Sequence, residues 1–158
     1  QVPVVAAGGL YDGRGLAAAL VLGADGVWIG TRFIATHEAR SVNGYKEALI
    51  AAAEDGTVIS RAYTGKTCRV IRNQWTQHFE DHPDELQPFP AQAFASSKAG
   101  ANHLGAADGT TVDVDREFMP AGQGVGAIHD LVPAGELVAR MVAEAEDAIA
   151  RAGGTVSV

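Results

Sequence analysis

The sequence predicts an α/β fold in which parallel strands alternate with helices. Three observations predict it. Two short apolar runs, residues 2–7 and 26–30, each close on glycine; a helical stretch lies between them; and the whole strand, helix and strand fits within the first 30 residues, the length of one βαβ unit.

Each element has its own warrant. Val2-Pro3-Val4-Val5-Ala6-Ala7 before Gly8-Gly9 reads as a strand buried on both faces, as in a parallel sheet, with Pro3 tolerable at its start. Asp12 is placed to cap a helix through about Leu22, with Leu16, Ala17 and Leu20 as the inward stripe and Gly23 as the stop. Gly26-Val27-Trp28-Ile29-Gly30 is the second buried strand. After Thr31 the alternation ends. Residues 44–53 read as a helix ending at Asp55-Gly56, residues 57–60 and 68–71 as short β-prone runs, and residues 73–80 and 91–99 as two further helices. Asp108-Gly109-Thr110-Thr111 is turn-like. Pro133 opens a long amphipathic helix to about Ala152, with Leu137, Val138, Met141, Val142, Ala145 and Ile149 on one face and Gly153-Gly154 ending it.

Composition bounds the function. At 158 residues, 47% of them hydrophobic and 20% charged, the chain holds enough apolar surface for one core. A formal charge of −7 argues against nucleic acid or an anionic membrane as partner, because both repel an acidic surface. The one cysteine, Cys68, makes no internal disulfide, and no Cys/His spacing resembles a zinc site, so a reducing, cytoplasmic setting is expected. No run approaches the ~20 apolar residues that span a bilayer. The chain opens at Gln1 and enters a strand within two residues, which predicts a fragment of a longer protein.

The chemistry concentrates at the strand ends. Gly8-Gly9 and Gly30-Thr31-Arg32-Phe33 lie one βα repeat apart, and in a β/α barrel neighbouring parallel strands place such ends side by side on the catalytic face. Glycine lets backbone N–H groups approach a phosphate without an intervening β-carbon, and Thr31 adds a hydroxyl donor. The expected architecture is therefore the C-terminal part of a (β/α)8 TIM-type barrel plus a mostly helical substrate-binding region. Elsewhere the signals are weaker. The acidic run Glu80-Asp81-His82-Pro83-Asp84-Glu85 reads as a solvated turn rather than a metal site, and Arg69 and Arg72 near Lys66 either attract an anionic substrate or, the favoured reading, balance those acids. His37, His78, His82, His103 and His129 stand in no catalytic context, and no residue of this chain is assigned a catalytic or metal-binding role.

The stretch VPVVAAGGLYDGRGLAAALVLGADGVWIGTRFIAT resembles nitronate monooxygenase, formerly 2-nitropropane dioxygenase. The resemblance continues through Tyr45-Lys46-Glu47, from Thr64-Gly65-Lys66 to Arg72-Asn73, and through Ala121-Gly122-Gln123-Gly124-Val125-Gly126 into Pro133-Ala134-Gly135-Glu136. It implies an FMN-dependent oxidoreductase that oxidises alkyl nitronates with O2 to a carbonyl compound and nitrite. It further implies that Gly8, Gly9, Gly30 and Thr31 hold the FMN phosphate, flanked by Arg32 and Phe33, and that Gln123 belongs to a segment near the flavin ring. Residues 1–41 would then be the last two βα units of the barrel, 42–120 a substrate-domain-like insertion, and 121–158 the closing loop and C-terminal helix. The family's catalytic histidine lies in a glycine-rich motif ahead of the strand at which this chain begins. FMN-dependent enoyl-acyl-carrier-protein reductases share much of the pattern and are the competing reading; a non-catalytic truncated remnant is the third. Two barrel strands alone leave an edge and an apolar face open, so association with a second copy or a partner is expected.

Overall fold

A computed structural model describes residues 2–103 and 110–155. The expected turn at residues 108–111 therefore falls partly outside the described residues. The chain begins with β1 (Val5–Ala7), α1 (Gly13–Val21) and β2 (Gly26–Trp28). The two strands pair in parallel with Val5 opposite Gly26, Ala6 opposite Val27 and Ala7 opposite Trp28. The predicted βαβ unit is thus formed, as part of a (β/α)8 barrel.

Asp12 caps α1 as the sequence indicates: its Oδ1 accepts the Gly15 N–H at 2.9 Å. The buried stripe of α1 differs from expectation. Gly13, Ala17 and Ala19 are buried, whereas Leu20 is 39% exposed. The reason is close approach between helices. A β-carbon at Gly13 would overlap the Met141 carbonyl oxygen and Glu144 Cβ, so small residues bring α1 against the C-terminal helix and turn the leucine outward. The strands also depart from a doubly buried reading, because Val4 is 59% and Val5 53% exposed.

After β2 come α2 (Thr31–Ile34) and α3 (Asn43–Ala51), then an antiparallel hairpin of β3 (Thr57–Ser60) and β4 (Cys68–Ile71). The two β-prone runs seen in the sequence are this hairpin. Asn73 caps α4 (Gln74–Asp81) through a reciprocal box, its side chain accepting the Thr76 N–H while Thr76 Oγ1 accepts the Asn73 N–H. α5 (Ala91–Lys98) follows. The segment after residue 110 then returns along the hairpin: Ile71 donates its N–H to Met119 and Ala121 donates to Arg69. That return closes one core of Val42, Tyr45, Leu49, Ile71, Met119, Ala121 and Val125, and a second of Ala62, Tyr63, Val70, Ala101 and Phe118.

The last element, α6 (Ala134–Thr155), starts where Pro133 predicts, its first amide donated to Glu38 Oε2 at 2.8 Å. It continues through Gly153-Gly154 instead of stopping there. Only half of the expected face is covered: Leu137, Met141 and Ala145 pack inward at i, i+4 spacing, while Val138, Val142 and Ile149 form an exposed stripe beside them.

Candidate functional site

A cleft of about 160 Å3 opens at the C-terminal ends of β1 and β2. Its floor is Ala7, Gly8 and Gly9 from the first strand end and Trp28, Ile29, Gly30 and Thr31 from the second; Gly122, Gly124 and Ile128 make a third wall. Gly8 and Gly9 have φ of +94° and +70°, a left-handed conformation that side chains rarely adopt, and this reversal carries the chain away from the strand end. A β-carbon at Gly8, Gly9 or Gly30 would meet no atom within 4 Å. These three glycines therefore face open space, which a ligand can approach down to the backbone.

The electrostatics suit an anion. Among the described residues no carboxylate lines the cleft, although the chain as a whole is acidic. The N-terminus of α1, which follows the Gly8-Gly9 turn, is already filled: Glu144 Oε2 accepts the Gly13 N–H at 2.8 Å and Asp12 accepts that of Gly15. Thr31 lies on the opposite side. Its Oγ1 accepts the Gly122 N–H at 2.9 Å, which fixes the hydroxyl and leaves its own proton to be donated into the cleft.

Gly8, Gly9, Gly30 and Thr31 are brought together as the sequence indicates. Arg32, Phe33 and Gln123 are not among the residues lining the cleft. The Arg32 side chain is 3% exposed and turns the other way, donating to the Ala35 and Asp130 carbonyls at 3.1 Å each and to Asp130 Oδ1 at 2.5 Å. Burial pulls its pKa below the ordinary arginine value and the Asp130 carboxylate opposes that shift. Gln123 is exposed, and its two glycine neighbours form the wall instead. Tyr11 and Trp28 were missed by sequence reasoning; nothing but their position beside a glycine-ended strand marks them.

The histidines lie elsewhere. His78 pairs with Glu85 at 2.8 Å, His103 Nδ1 with buried Glu117 at 2.7 Å, and His82 packs its ring against His78. His129 lines a second cleft on the far side of Tyr11, among Arg14, Arg32, Asp130 and Arg140. The cations of the hairpin region are also engaged: Arg72 pairs with Glu80 at 2.7 Å, Arg69 donates to Thr57 and Lys66 lies over the Phe89 ring.

Residues 1–144 match the sequence profile of the family described as Nitronate monooxygenase. A Staphylococcus saprophyticus protein named "Probable nitronate monooxygenase" is 43% identical over 92 residues, which are 58% of this chain and 26% of that protein. A Mycobacterium tuberculosis protein named as a monooxygenase is 35% identical over 157 residues, 98% of this chain and 42% of that one. Among solved structures, FabK from Thermotoga maritima superposes with a TM-score of 0.81 at 31% identity, over 99% of this chain and 48% of that chain. A nitroalkane oxidase from Streptomyces ansochromogenes superposes at 0.73 with 30% identity, over 96% and 41% respectively. The chain spans less than half the length of each of these proteins.

Proposed function

We propose, from the premise that the chain belongs to the nitronate monooxygenase family, that it supplies the phosphate-holding half of an FMN site in an enzyme that oxidises alkyl nitronates with O2. The observation that carries the reading is the open glycine cleft between the ends of β1 and β2. Open space in front of Gly8, Gly9 and Gly30 lets a phosphate come close to their backbone, and the Thr31 hydroxyl, held by the Gly122 amide, would add a donor. Gly124 packs against Tyr11 and Gly9, keeping the third wall close to the floor. When bound, FMN supplies the electron and oxygen chemistry that converts a nitronate to a carbonyl compound and nitrite. The chain's own residues bind and orient it. Among the described residues no histidine lines the cleft, and no residue of this chain is assigned the group that acts on the substrate.

A second reading is a reductase of enoyl thioesters. Its support is the resemblance of the strand-end pattern to FMN-dependent enoyl-acyl-carrier-protein reductases. One pair of assays on the intact flavoprotein separates the two. The expected result is oxygen consumption and nitrite release with an alkyl nitronate. Oxidation of NAD(P)H with an enoyl thioester, and no nitrite, would replace the first reading with the second.

A further inference from the structure

Thr31 and Arg32 are consecutive, yet each reaches a different point of the segment that walls the cleft. Thr31 Oγ1 holds Gly122, and the Arg32 guanidinium holds both the carbonyl and the carboxylate of Asp130. The wall residues Gly124 and Ile128 lie between these two points. Asp130 is itself held from α6, where Arg140 donates to Oδ2 at 2.7 Å and to Oδ1 at 3.4 Å. Arg32 also closes back onto Ala35 at the end of its own helix, so one buried guanidinium ties together the beginning and end of α2 and the far end of the wall. A guanidinium buried to this extent is costly unless its charge is met, and Asp130 is the acid that meets it.

We propose that Asp130, clamped between Arg32 and Arg140, is a positioning residue for the phosphate cleft. It touches no ligand, and it sets FMN affinity by fixing Thr31 and Ile128 on opposite sides of the cleft. The proposal rests on the FMN reading above. A residue acting through the protein in this way shifts affinity by roughly 2- to 30-fold.

The test is an FMN titration of the intact apoprotein, followed by flavin fluorescence, with a thermal melt of each variant. Asp130→Asn keeps the shape and removes the charge; the expected result is about tenfold weaker FMN binding, largely restored in Asp130→Glu. Arg140→Met, which loosens the clamp from its exposed side, should weaken FMN in the same direction, and it decides the matter if Asp130→Asn does not fold. A lowered melting temperature with FMN affinity within twofold of wild type would overturn the proposal, because the clamp would then serve the fold alone. Gly30→Val and Thr31→Val are measured alongside. If both bind FMN as wild type does, it is the cleft assignment that fails.

Discussion

Thr31 and Gly122 are 91 residues apart and joined by one hydrogen bond, from the Gly122 amide to the Thr31 hydroxyl oxygen at 2.9 Å. A β-carbon at Gly122 would stand 3.3 Å from that same oxygen, so the contact is close as well as polar. It joins a strand end to the closing segment at the point where a phosphate is expected to sit.

Thr31→Val removes the acceptor and leaves the Gly122 amide unmatched. A loss of about 1–3 kcal/mol in folding stability is expected, the range for stranding a partly buried donor. Urea unfolding of the variant checks it, and an unchanged midpoint would mean that water replaces the hydroxyl at no cost.

Gly30 and Gly124 make a contrasting pair. The β-carbon of Gly30→Val enters open space, so its melting temperature should stay close to wild type while FMN affinity falls sharply. Gly124→Ala should do the reverse in part, since its β-carbon would come within 2.9 Å of Tyr11 Cδ1 and 3.2 Å of the Gly9 carbonyl oxygen, an overpacking cost of about 1–3 kcal/mol. Melting curves and FMN titrations of the two variants would reveal whether stability and cofactor binding separate as stated.

Gly13→Ala probes the contact between α1 and α6. With the Met141 carbonyl in the way, the helices must part, and a destabilisation of about 3 kcal/mol, the upper end of the overpacking range, is expected. A variant as stable as wild type would show that α6 slides freely along α1.

The pH dependence follows from Asp130. Its pKa is held below the usual carboxylate value, first by the hydrogen bond from Arg140 and then by the charges of Arg32 and Arg140. A depressed folded-state pKa contributes stability that is complete above the unfolded value near ~4 and is lost as pH falls through the folded value. Thermal melts of wild type and Asp130→Asn should therefore converge as pH is lowered from 7 to 3. A constant gap over that range would rule out the carboxylate as the cause. Glu38, also shifted down by the Ala134 amide, is common to both proteins and cancels.

The 158-residue chain, supplied with excess FMN and a simple alkyl nitronate, should show no oxygen uptake above that of free FMN. Two paired strands with Val5 and Trp28 uncovered give a phosphate no enclosed flavin to go with it. Turnover well above the free-cofactor rate would place the catalytic group within these residues, with His129 the first to test because its cleft adjoins Tyr11.

Much of this was legible in the sequence for identifiable reasons. Local chemistry spoke clearly: Asp12 as a cap, Gly8-Gly9 after a strand, and the β-prone runs of the hairpin each depend on neighbours a few positions away. Periodicity misled where tertiary contact decided the outcome. Leu20 looks inward by its spacing, but the glycine and alanines of α1 win the buried face because α6 comes so close. Arg32, which the family resemblance sets beside the phosphate, turns its guanidinium away from the cleft. Its partner, Asp130, lies 98 positions away, and no pattern in the sequence announces it.

Those separations carry a consequence for synthesis. Gly122 and Asp130 leave the ribosome 91 and 98 residues after Thr31 and Arg32, which at ~5–20 residues per second is a delay of about 5–20 seconds. During that interval the two strand ends exist without their third wall. On the FMN reading, cofactor capture waits for residues 122–130, and a ribosome stalled before residue 122 would carry a nascent chain that has made its glycine turns and lacks the third wall of the cleft.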